Sequence, residues 1–176
     1  MAGGYQVPER LQNFRVYDST NNALMGIASV ELPEIEAMSE TVSGAGISGE
    51  IETPIVGHYG SMTCTLSWTS ITKAAMKLAS PDTHEIDLRG SQQVRDTTTG
   101  KVKVSAVRVT LQVVPKTVTL GTFEVNATTE TEHEFEVLYI KLYVDDKPQL
   151  EIDKFNFVAR FGGVDLLKET RKALGM

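Results

Sequence analysis

Between Met62 and Thr69 the residues Met62, Cys64, Leu66 and Trp68 alternate strictly with Thr63, Thr65, Ser67 and Thr69. Successive side chains on a strand point to opposite faces, so this segment reads as a half-buried strand with one face in a core and the other wet. Valine and threonine dominate much of the remaining chain, turn residues recur between apolar runs, and only two short segments carry helical spacing. The chain is therefore mainly β. Its 176 residues, 41% of them hydrophobic, suit one domain spanning 1–176, since no linker, repeat or low-complexity run divides it.

Other strands follow from the same periodicity. In Lys101 to Val114 the apolar set occupies Val102 and Val104, then shifts phase to Val107, Val109, Leu111 and Val113; such a switch predicts a bulge or a strand bending between two sheets. From Phe135 to Val144 both phases are apolar, which predicts a strand covered on both faces at the centre of the core. Asp145-Asp146-Lys147-Pro148 reads as a turn from which Gln149 to Phe157 returns as a strand. One helix is expected over Ile71 to Ala79, capped by Ser70 and lying on a sheet. A second is expected over 165–174, capped by Asp165, with Leu166, Leu167, Thr170, Ala173 and Leu174 forming a stripe that buries against this subunit or a neighbour.

Chemistry-bearing motifs are sparse. Cys64 is the single cysteine and His58, His84 and His133 the three histidines, so neither an internal disulfide nor a zinc cluster of usual spacing can be built. Gly44-Ala45-Gly46-Ile47-Ser48-Gly49 matches the pattern that cradles a pyrophosphate, but a glutamate-rich arm precedes it and no helix can follow. His84, Glu85 and Asp87 read as surface residues rather than metal ligands, because neighbours on a strand face opposite ways. His133, among Glu130, Glu132, Glu134 and Glu136, reads as a solvated residue with a raised pKa. Cys64 reads as a small buried hydrophobe, and Asn126-Ala127-Thr128 is a glycosylation sequon without a secretion signal before it. No catalytic, cofactor-binding or metal site is expected. Met1 to Gln6 lacks the features of a secretory leader and no run reaches membrane-spanning length, so a soluble protein is expected.

The formal net charge of -6 lies wholly in the first part of the chain, where Arg10 and Arg15 face eight acids up to Thr69. Residues 33–56 are the most unusual stretch. They read as two arms, Glu34 to Val42 and Ile47 to Ile55, joined by a glycine-rich tip containing Gly44, Gly46 and Gly49. Glu34, Glu36, Glu40, Glu50 and Glu52 all stand at even positions, and Lys and Arg are absent from the stretch. In a register that keeps even positions together, these carboxylates share one face, which cannot be core. A solvated face is one reading. A partner surface is the other, since a two-stranded hairpin alone is marginal in water.

Gly26-Ile27-Ala28-Ser29-Val30-Glu31-Leu32-Pro33, the glutamate-bearing arm, Gly44-Ala45-Gly46-Ile47 and the strand ending at Trp68 resemble the opening of the major tail tube proteins of contractile-tailed bacteriophages. Tyr143-Val144-Asp145-Asp146-Lys147, Leu150 to Asp153 through Asn156, and Gly163-Val164-Asp165-Leu166-Leu167 through Arg171 to Gly175 are similar to that family's closing hairpin and C-terminal helix. The likeness covers roughly 9–70 and 135–176. It implies a two-sheet β-sandwich or barrel-like fold with a flanking helix, a C-terminal helix and a long protruding hairpin. It also implies a non-catalytic subunit, without cofactor, whose hexameric rings stack into a tube that carries DNA in a virion tail assembled in the host bacterial cytoplasm. Related tubes in R-type bacteriocins carry no genome, and type VI secretion inner tubes share the fold. The implied partners are further copies of the chain, the tail sheath protein, baseplate and tail-terminator proteins, and a tape-measure protein in the lumen; DNA passes without specific binding. The hairpin carboxylates are the first candidates for the lumen wall and Glu130, Glu132, Glu134 and Glu136 the second. A β-sandwich carbohydrate-binding module remains the alternative of another class, although exposed aromatic platforms are few.

Overall fold

A computed structural model describes residues 5–176; Met1–Gly4, at the start of the segment searched for a leader, lie outside the described residues. The chain is built of β1 (Gln6–Asp18), β2 (Ile27–Glu31), β3 (Ala37–Ser43), β4 (Glu50–Tyr59), β5 (Thr63–Trp68), α1 (Lys73–Leu78), β6 (His84–Asp96), β7 (Val102–Thr119), β8 (Thr131–Val144), β9 (Lys147–Asp153), β10 (Val158–Phe161), β11 (Val164–Asp165) and α2 (Lys168–Ala173). All strand pairs are antiparallel. No helix among the described residues is long and apolar enough to cross a membrane.

The mainly β architecture has an unexpected connectivity. Its two layers are arms of one nine-stranded sheet, while β3 and β4 form a separate two-stranded sheet. The long strands β7 and β8 belong to both layers. The first half of β8 pairs with β5, which pairs with β2; the second half pairs with β9, and β7 continues to β6 and β1. The arms face each other because Cys64, Leu66 and Trp68 of β5 share one apolar cluster with Val16 of β1, Ile86 and Leu88 of β6, and Leu111 of β7.

The bends occur at bulges. The pairing of β7 with β8 shifts between Gln112 and Val113 and between Pro115 and Thr117, leaving Leu138 and Lys116 as extra residues. A bulge lets a strand turn and changes which phase faces the core. This explains the mixed apolar pattern of β8: Phe135 and Val137 are buried before the bulge, Ile140 after it, and the opposite phase is only half-buried. The strand is central, but it is not covered on both faces. The phase switch in β7 has another cause. Its register with β6 runs unbroken from Val102 to Val113, and Val102 and Val104 simply point outward, 47% and 63% exposed.

The β8–β9 turn is formed by Asp145 and Asp146, both at positive φ, as a two-residue turn matched to strand twist requires. Both helices are shorter than expected. Thr72, rather than Ser70, caps α1 by accepting from the Ala75 N–H at 3.1 Å, and Ala75 and Leu78 anchor the helix. Asp165 closes β11, so α2 starts only after Leu167.

His133 contradicts the expectation of a solvated, raised-pKa residue. It lies fully buried, its ring 5.9 Å from Trp68 and 6.0 Å from Phe135, because it shares the inward phase of Thr131, Phe135 and Val137. Burial pushes its pKa down. Cys64 is buried as expected, and burial raises its thiol pKa to about 12.

Candidate assembly surfaces

The hairpin β3–β4 stands clear of the core, every residue of β3 being exposed. Its tip turns where the Ile47 N–H donates to the Gly44 carbonyl at 3.1 Å. Gly44, Gly46 and Gly49 all have positive φ, a conformation that side chains with a Cβ rarely adopt. The register corrects the single acidic face. Thr41 stands opposite Glu52 and Ser43 opposite Glu50, whereas Glu40 stands opposite Thr53 and Val42 opposite Ile51. Glu50 and Glu52 therefore share one face with Ser39, Thr41 and Ser43; Ser39 donates to Glu52. Glu40 lies on the other face with Val42 and Ile51, which are 46% and 50% exposed. The physical reason is that odd positions of one arm pair with even positions of the other, so a common parity places side chains on opposite faces. Glu34 and Glu36 are exposed residues preceding β3; the Glu36 carbonyl accepts from the Gly60 N–H at 3.0 Å.

A second acidic surface does form one face. Glu132, Glu134 and Glu136 alternate with buried residues along β8 and stand opposite Ser67, Thr65 and Thr63 of β5. Thr65 in turn stands opposite Glu31 of β2. The outer side of this arm is thus a wall of carboxylates and hydroxyls. Lys116 approaches Glu134 at 3.0 Å and Lys154 approaches Glu136 at 3.2 Å. Burial raises the Glu136 pKa, but the Ser61 hydroxyl and Lys154 outweigh it and hold the carboxyl below its usual range. Glu130 precedes the strand at φ +52 and is exposed, so strand alternation does not place it on this wall.

Known proteins decide what such surfaces belong to. The family model for phage tail tube protein FII matches residues 8–175. The chain belongs to that family. Its similarity to the tail tube protein of Escherichia phage P2 is 27% identity over 177 residues, covering 97% of this chain and 99% of the relative. Two cryo-EM structures of an extracellular contractile injection system share the fold, both in the extended state. The PVC sheath/tube terminator has a TM-score of 0.55 at 14% identity, covering 78% of this chain and 97% of that one. The PVC sheath-tube complex has a TM-score of 0.51 at 14% identity, covering 77% and 91%. As a phage tail tube protein, this chain is a structural, non-enzymatic component of a contractile tail, and the carbohydrate-binding alternative falls away.

In this tail tube protein the C-terminal segment is joined to the hairpin base. Leu167 is 4% exposed and lies over Gly57 of β4, which has φ +77. Asp165 accepts from the Leu167 N–H at 3.2 Å and pairs with Arg171, which also donates to the Phe157 carbonyl at 2.7 Å. The expected apolar stripe is only partly packed: Leu166 and Leu174 are 44% and 58% exposed, because six residues make too short a helix to lay a continuous stripe on the sheet. The sequence signal for the Gly57 cradle was a lone glycine inside a strand pattern, which marks a bulge or a close approach without naming the partner.

Asp87 corrects the surface reading of the His84, Glu85 and Asp87 group. It is 6% exposed and enclosed by Arg89, Arg108 and Thr110, while the His84 ring lies 3.0 Å from the Ser80 carbonyl. Among the described residues no cluster of His, Cys, Asp and Glu could hold a metal ion.

Proposed function

We propose that copies of this chain form hexameric rings that stack into the hollow inner tube of a contractile tail, with the wall of Glu31, Glu132, Glu134 and Glu136 turned to the lumen. The observation that carries this reading is that one outer sheet face combines carboxylates with Thr63, Thr65 and Ser67 and exposes no large apolar side chain among these residues. A negative, hydroxyl-rich wall repels phosphate and gives DNA nothing to stack on, so a genome passes without sticking. The hairpin acids fit this role less well, since the register divides them between two faces. The same surface suits a genome-free bacteriocin tube that only punctures.

The hairpin is then an assembly element, its apolar face around Val42 and Ile51 covered by a neighbouring subunit, and Leu166 and Leu174 are further sites for such cover. Sheath protein surrounds the tube, a tape-measure protein occupies its lumen during assembly in the host cytoplasm, and baseplate and terminator proteins close its ends. Electron microscopy of the concentrated protein tests this: stacked six-fold rings are the expected result, and a dispersed monomer at high concentration overturns it.

A further inference from the structure

The outer side of the other sheet arm carries three arginines in one cross-strand row, with Arg15 paired to Arg89 and Arg89 to Arg108. Directly opposite residues on antiparallel neighbours share a face at about 4.5 to 5.5 Å, where like charges repel. Asp87 makes the row tolerable. It accepts from the Arg89 and Arg108 Nε atoms, each at 2.7 Å, and from the Thr110 hydroxyl at 3.0 Å, and the Arg89 guanidinium lies 4.4 Å from the Tyr17 ring centroid. Asp87, with Glu85 acting on Arg108 from farther along the same face, still leaves three guanidinium groups in excess of the carboxylates beside them. Arg15 is exposed and has no ion-pair partner among the described residues, and the Arg89 and Arg108 side chains remain 45% and 52% exposed. A shallow recess of about 300 Å³ opens beside Arg15, Tyr17 and Arg89. A surplus of cations held in place on a chain of net charge -6 marks a surface for an acidic partner.

The same chain supplies one. Glu50 and Glu52 project from one face of a hairpin that stands clear of the core, and residues 33–56 contain no Lys or Arg to neutralise them. Two carboxylates at i and i+2 on a strand are about 6.6 Å apart, which is compatible with bridging neighbouring members of a row spaced by about 5 Å per strand. Stacking copies of an acidic chain accumulates repulsion unless surplus carboxylates meet uncompensated cations. We propose that the row Arg15, Arg89 and Arg108 receives Glu50 and Glu52 from the hairpin of a second copy of this chain. This rests on the tube reading and names the contact that orders its subunits.

A charge-swap cycle tests it. Arg15→Glu reverses the end of the row without touching Asp87, and Glu50→Arg with Glu52→Arg reverses the hairpin. Each change alone should raise the protein concentration needed for tubes, read by sedimentation and electron microscopy in low salt, by about tenfold or more, and the combination should restore much of the loss. Arg15→Gln should give a smaller effect in the same direction. Circular dichroism and melting of the unassembled variants establish that each still folds. Tubes that form as readily in both separate variants overturn the proposal, as does a loss that the combination fails to relieve. Normal tubes of Arg15→Glu that no longer bind sheath protein also overturn it and assign the row to the sheath. A parent chain that forms no tubes at all overturns the tube reading instead.

Discussion

Leu167 and Gly57 occupy one another's space: a Cβ built on Gly57 would lie 2.4 Å from the Leu167 Cδ2. The residue that precedes α2 is therefore seated on the base of the hairpin, and Lys154 ties the same region to the acidic wall by donating to the Gly60 carbonyl at 2.9 Å and pairing with Glu136. Two surfaces that the proposed tube uses separately share this support. Leu167→Ala should cost about 2 to 5 kcal/mol by leaving a cavity. Gly57→Ala should cost about 1 to 3 kcal/mol through positive-φ strain, and more where Leu167 cannot move aside. Urea unfolding measures both. Amide exchange should rise in α2 and at the hairpin base before it rises in β8, and uniform protection across all three would disprove the link.

His133 predicts an acid-sensitive core. Burial lowers its folded pKa below the ordinary histidine value of 6.5, so the unfolded chain takes up the proton first as pH falls. Stability is then present in full above about pH 6.5 and declines as pH drops through that value toward the folded pKa. Neither ring nitrogen makes a hydrogen bond of good geometry among the described residues, and the nearby Ala75 backbone offsets the cost of a buried charge only in part. The urea midpoint of the unassembled protein should fall between about pH 7.5 and pH 5.5, and His133→Leu should flatten that decline. An equal slope in both proteins would assign it to other groups.

Replacing 39–54 by a short Gly-Ser link should leave the cooperative melt nearly unchanged, since β3 and β4 pair only with each other. Tubes should not form. A chain that fails to fold, or still polymerises normally, contradicts the assignment of the hairpin to assembly.

Charge reversal locates the lumen. Glu132→Lys with Glu134→Lys should make assembled tubes retain labelled DNA that the parent tubes exclude, with retention weakening as salt rises. Glu40→Lys should have little effect on retention. Retention by Glu40→Lys tubes alone would return the lumen to the hairpin.

Several features were legible in the sequence because they depend on spacing alone. Alternation marked β5 and its buried set, Asp145-Asp146 marked the β8–β9 turn, and the glycine-tipped arms marked a protruding hairpin. The buried position of His133 was also available, since Glu132, Glu134 and Glu136 in alternation place the residues between them inward; charge density around the histidine obscured that simple parity.

What lay beyond the sequence was everything set by pairing between distant segments. Parity along one arm orders the acids of that arm, but the face they share with the other arm depends on register, and a shift of one residue separated Glu40 from Glu50 and Glu52. Bulges at Leu138 and Lys116 turned two layers into one continuous sheet, and cross-strand pairing alone aligned Arg15, Arg89 and Arg108, whose positions are scattered over three strands. Local patterns by themselves determined which residues could be strand, turn or core face, because those preferences act between neighbours in the chain. The tertiary structure decided which charges meet, because hydrogen bonding between strands far apart in sequence fixes that, and no local preference encodes it.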